Sequence, residues 1–160
     1  MKAKKLKKML IGFDYNNKKE SLEAVKINPS NLQYIRNQTD EMCLTAVRRN
    51  GLALQYVINQ TYEICLAAVE QNGYALQYVE EQTYEICLAA VKQDPYAIKY
   101  VNNQKPDLCL EAVKGDALTL MYIHNQTEEM CKIALKKDKN YVMLIDDKFL
   151  YLYDKIYGNK

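Results

Sequence analysis

The sequence has no tryptophan, one histidine, three prolines and five glycines among 160 residues. So little glycine and proline excludes collagen-like and linker-rich chains and argues against turn-dense all-β folds. The single histidine leaves few parts for acid–base chemistry. The chain also lacks a G-x-x-x-x-G-K-[ST] loop, an H-E-x-x-H helix and a G-x-S-x-G elbow. No C-x-x-C pair is present, so no close-spaced metal ligands are offered. We therefore expect no enzyme, no cofactor and no metal site. No apolar run approaches the ~20 residues of a membrane span. The apolar stretch Met9 to Phe13 is shorter than the ~7–15 residues of a signal-peptide core, so secretion is not expected.

What the chain does contain is a repeat. Cysteines stand at 43, 65, 87, 109 and 131, and glutamines at 38, 60, 82, 104 and 126, always 22 residues apart. Tyr34, Tyr56, Tyr78, Tyr100 and Tyr122 keep the same step, as do Ala24, Ala46, Ala68, Ala90, Ala112 and Ala134. Repeats too small to bury their own apolar faces must stack. The spacing defines six units, 17–38, 39–60, 61–82, 83–104, 105–126 and 127–148.

Each unit reads as two short helices. Thr39, Thr61, Thr83 and Thr127 can cap the first, with an acidic residue two positions on where the helix dipole favours it. Lys105 breaks this column, so its cap is expected to be weaker. The Asn or Asp column, Asn28 to Asp138, marks the start of the second helix. Gly51 and Gly73 then either open the second helix or end the first in a left-handed turn. At 100° per residue, Ile64, Cys65, Leu66, Ala68 and Val69 share one arc, and Tyr74, Ala75, Leu76, Tyr78 and Val79 share another. Arcs this wide need neighbours on both sides. The expected fold is an all-α helical solenoid of six two-helix repeats with terminal caps. Residues 1–16 form a basic N-terminal arm or cap, 17–148 the array, and 149–160 an aromatic C-terminal cap.

Units such as ICLAAVEQNGYALQYVEEQ and ICLAAVKQDPYAIKYVNNQ resemble the short paired-helix repeat abundant in giant viruses of amoebae and found in some intracellular bacteria. The resemblance covers about residues 17–148. That family is a domain of unknown function and offers no catalytic residues to transfer. The resemblance implies a viral or pathogen-derived repeat scaffold acting inside a host cell, most simply in the host cytoplasm.

The cysteines read as small side chains buried between helices in a reducing compartment. His124 occupies an outward column and Cys131 a core column, so no catalytic pair is expected. The tyrosine column reads as core-edge aromatics rather than a base-stacking ladder. Residues 1–26 hold eight lysines and three acidic residues, net +5, which leaves −3 for the rest of a chain totalling +2. An acidic array repels phosphate, so nucleic acid is not expected as its partner. The glutamine column is expected to bond backbone between adjacent units.

Core columns barely vary, whereas two outward columns vary freely. One runs Gln33, Gln55, Gln77, Lys99, Met121, Met143, and the other Arg36, Ile58, Glu80, Asn102, His124, Asp146. Gln55, Ile58, Gln77, Glu80, Lys99, Asn102, Met121 and His124 are therefore the candidate face for a protein or peptide partner. Two alternatives stand beside this reading. Lys2, Lys4, Lys5, Lys7 and Lys8 form a basic arm that suits nucleic acid or an acidic membrane, or that simply solvates a helix end. The third reading is a self-assembling virion component.

Overall fold

The computed structural model describes residues 12–158. Among these there is no strand, and the six units are present in register. Their first elements are ten-residue α-helices: Lys18–Ile27, Asp40–Arg49, Tyr62–Gln71, Tyr84–Gln93, Pro106–Gly115 and Glu128–Lys137. The capping threonines accept as the sequence indicates; Thr61 takes the Ile64 N–H at 3.3 Å. Lys105 makes no side-chain cap, and Pro106 follows it in the first turn.

The second elements differ from the α-helical expectation. They are six-residue 3-10 helices: Pro29–Tyr34, Gly51–Tyr56, Gly73–Tyr78, Pro95–Tyr100, Ala117–Tyr122 and Lys139–Leu144. The Asn or Asp between the two helices serves both. Asn72 donates its backbone N–H to Ala68 (2.9 Å), and its side chain accepts from Tyr74 N–H (3.0 Å). Its extended backbone (φ −155°, ψ 111°) turns the chain between them. A 3-10 helix has three residues per turn, so i and i+3 eclipse. Gly73, Leu76 and Val79 consequently form one buried line. Tyr74 leaves the expected core arc and lies in an outward line with Gln77; Tyr74 and Tyr78 are only half-buried.

Contacts run between neighbouring units. α-Helices pack beside α-helices, 3-10 helices beside 3-10 helices, and each α-helix from the second unit on also rests on the 3-10 helix of the preceding unit. Ile64, Cys65, Ala68, Val69, Ala75 and Leu76 are buried, and so are their equivalents in units two, four and five; at the ends of the array Glu20, Asn31, Tyr141 and Val142 take these positions and are only half-buried. Complete burial of a Leu or Ile contributes about 1.5–3 kcal/mol.

The glycine question is settled by neighbours. Gly12 alone has positive φ among the described residues, so Gly51 and Gly73 open the 3-10 helices rather than end helices in a left-handed turn. Their reason is close approach. A Cβ on Gly73 would lie 2.6 Å from the Ala90 carbonyl oxygen of the next unit, and Gly51 faces Ala68 in the same way. The bare N–H groups of Gly51 and Gly73 donate to Gln71 and Gln93 of that next unit. Pro95 has no N–H to offer, and the matching residue is Gly115, where a Cβ would meet the proline ring at 2.5 Å.

At the first unit Ser21 replaces the cysteine and donates to the Tyr15 carbonyl (3.0 Å). A short 3-10 turn, Asp147–Phe149, leads out of the sixth unit to the helix Tyr151–Tyr157. Leu152 of that helix is fully buried, and Tyr157 donates to the Leu135 carbonyl. The basic-arm lysines, Lys2, Lys4, Lys5, Lys7 and Lys8, lie outside the described residues.

Candidate interaction surface

The surface is built on the unit junctions. Gln82 of the third unit donates Nε2–H to Tyr100 O of the fourth (2.8 Å) and to Leu76 O of its own unit (3.5 Å). Its Oε1 accepts from Asn102 N–H (3.0 Å) and from the Cys87 thiol (3.7 Å). Gln38 repeats the arrangement with Tyr56, Leu32, Ile58 and Cys43, and Gln126 with Leu144, Leu120, Asp146 and Cys131. The expected inter-unit glutamine bond is present, and the thiol is a further partner that the sequence reading did not assign. Glutamine occurs in units one to five and cysteine in units two to six, because each glutamine serves the unit that follows.

All five cysteines are buried, and none forms a disulfide. Burial is the main cause that pushes Cys43, Cys65, Cys109 and Cys131 up to about 11, and it raises Cys87 as well. A thiol so protonated is a poor nucleophile at neutral pH.

These clamps position the outward residues. Ile58, Glu80, Asn102 and His124 each give their backbone N–H to a junction glutamine, and all four side chains are exposed. His124 also pairs through Nδ1 with Gln104 Oε1 at 3.0 Å, away from Cys131, whose thiol is bound to Gln126. Gln55 and Gln77 fold back on their own 3-10 helices, each donating to a carbonyl three residues earlier at 2.9 Å. Met121 and Ile58 are each 57% exposed, and Met143 is 81% exposed. The eight candidate residues thus all reach the surface, on the 3-10 helices or just after them.

Sequence reasoning missed a third line on this side: Leu52, Tyr74, Tyr96 and Leu118, three residues before Gln55, Gln77, Lys99 and Met121. The three-residue repeat of a 3-10 helix was the signal for it. Lys99 Nζ lies 4.8 Å from the Tyr74 ring and 4.9 Å from the Tyr100 ring. Tyr96 donates to Asp116 Oδ2 (3.1 Å), and partial burial followed by this bond raises its phenol above the ordinary value.

The opposite side carries the α-helices. Arg48 pairs with Glu63 of the next unit at 3.4 Å, beside a groove floored by Leu66 and Ala67. Where Lys105 replaces threonine, its ammonium sits 5.1 Å from the Tyr84 ring. Tyr84 donates to Asp107 at 2.6 Å, which holds that carboxyl below its usual range. No helix among the described residues is long and apolar enough to cross a membrane.

Three overlapping stretches of this array, residues 21–60, 39–84 and 61–104, match the family described as a domain of unknown function (DUF4116). The chain belongs to that family. Together the matched stretches cover residues 21–104, more than half of the chain, and they step along the same units that the cysteine and glutamine columns define. No curated protein and no solved structure matches it.

Proposed function

We propose that this DUF4116 chain is a non-enzymatic repeat scaffold that binds a protein or peptide along its 3-10 side, inside a host cell. The observation that carries the reading is the contrast within one side of the array. Junction glutamines fix the backbone of each outward position, while the side chains placed there change from unit to unit: Ile58, Glu80, Asn102, His124. A rigid frame that presents varied side chains lowers the ordering cost of binding. The exposed Ile58, Met121 and Met143 supply apolar area on that side. Resemblance to repeats of giant viruses and intracellular bacteria supports the host-cell setting.

The test is affinity capture from host-cell extract with the wild-type chain and with a variant replaced by alanine at Gln55, Ile58, Gln77, Glu80, Lys99 and Asn102. A partner held by the wild type and lost by the folded variant supports the reading. A partner held equally by both rejects this side. Removing residues 1–10 tests the basic-arm alternative in parallel, read out as binding to DNA and to anionic liposomes.

A further inference from the structure

Lys99 and Met121 occupy the same position in successive units. Beside each stand one tyrosine of its own unit and one of the unit before. At the first of these corners Tyr74 and Tyr100 meet edge to face, centroids 5.8 Å apart at 71°. Lys99 Nζ lies within 4.9 Å of both rings. At the second corner Tyr96 and Tyr122 meet in the same way, 6.1 Å apart at 72°. There the position of Lys99 is taken by the uncharged Met121, 57% exposed. Other units do not build the pair: Leu52 precedes Tyr78, Ser30 precedes Tyr56, and Leu118 is followed by Leu144.

The repeat therefore supplies its own comparison: one aromatic corner has an ammonium against both rings, and at the other no cation among the described residues lies against either ring, although Lys99 acts electrostatically on Tyr122. The ring quadrupoles that attract the Lys99 ammonium are present again at the second corner. That corner also has the Asp116 carboxylate, which accepts from the Tyr96 hydroxyl at 3.1 Å and adds negative potential. We infer that the Tyr96–Tyr122 corner binds a lysine ammonium group presented by a partner protein or peptide, in the place that Lys99 fills at Tyr74–Tyr100. The inference rests on the 3-10 side being the contact surface, and it names the chemistry that one part of that surface reads. Met121 lies against the aliphatic stem of the incoming lysine.

The test is titration of the full chain, with tyrosine ring resonances followed by NMR, using the peptide acetyl-Gly-Lys-Gly-amide. The control is the same peptide acetylated on the lysine side chain, which keeps the stem and removes the charge. The charged peptide is expected to shift Tyr96 and Tyr122 and to bind roughly fivefold more tightly than the control. Met121→Lys fills the corner from within and abolishes those shifts. Lys99→Met empties the first corner and adds Tyr74 and Tyr100 as a second responding pair. Equal binding of the two peptides, or shifts that persist in Met121→Lys, overturns the inference. If these peptide experiments fail while a captured partner still requires the outward residues, the corner assignment alone is wrong. If the peptide binds as expected while no partner depends on those residues, the wider reading is wrong and the corner stands.

Discussion

Replacing Gln82 by alanine removes the clamp between the third and fourth units. Two of its bonds have ordinary lengths, to Tyr100 O at 2.8 Å and from Asn102 N–H at 3.0 Å. The bonds to Leu76 O at 3.5 Å and from the Cys87 thiol at 3.7 Å are long and contribute little. A net ~1 kcal/mol for each good bond gives about 2 kcal/mol. Leaving the half-buried Tyr100 carbonyl without a partner brings the expected loss to about 2–3 kcal/mol. Gln77→Ala is the control. It has the same side chain and lies in the same unit, on the 3-10 helix Gly73–Tyr78, but its bond stays within its own unit, and it is exposed. That change is expected to stay within about 0.5 kcal/mol. Urea unfolding followed by far-UV circular dichroism reads the difference. Because stability in an array is a sum of unit and interface terms, hydrogen exchange should accelerate on both flanks of this junction first. If Gln82→Ala unfolds at the same urea concentration as Gln77→Ala, the glutamine clamp does not hold the units together.

Further outcomes follow from the same geometry. Pro95→Gly and Gly115→Gln should each destabilise, whereas the double substitution, which recreates the Gly73–Gln93 pairing, should recover most of the loss in a double-mutant cycle. Additive losses would mean the columns are not coupled. Leu76→Ala empties a fully buried site between stacked helices and should cost about 2–5 kcal/mol, read by chemical unfolding. Burial lifts Cys65 from 9.0 to about 11, so at about pH 8 the native thiolate population, and with it iodoacetamide labelling, should fall roughly a hundredfold below that of urea-unfolded protein. The sign for stability follows: the folded-state value is the higher one, so the contribution of the neutral thiol is intact below about pH 9 and is lost as pH rises toward about 11. Equal labelling rates in native and unfolded protein would contradict this burial.

Much of this architecture is written in the columns. Ile64, Cys65, Ala68 and Val69 recur at helical spacing and are buried, and the threonine and asparagine columns cap the helices they precede. The second element was harder to read, because six residues sample too little of a helix to separate 100° from 120° per residue. The difference decided the face: Tyr74 moved from the core arc to the outward line, and with it came the aromatic corners. Gly51 and Gly73 had two meanings within their own unit, and the Ala68 and Ala90 carbonyls of the following units chose between them. The pairing of Gly73 with Gln93, and of Pro95 with Gly115, is legible only when one unit is read against the next. The placement of Met121 and Ile58 at the surface was readable, but nothing in a single sequence distinguishes a recognition residue from an unconstrained one.

If outward side chains held by the repeating frame recognise a partner, removing them costs binding without unfolding the chain. Capture from host-cell extract on the wild-type chain and on the alanine variant of Gln55, Ile58, Gln77, Glu80, Lys99 and Asn102, with thermal unfolding of both recorded by circular dichroism, measures this most directly. Matching unfolding curves and a partner retained by the wild type alone are the expected result. Equal retention by both chains, or by neither, contradicts it.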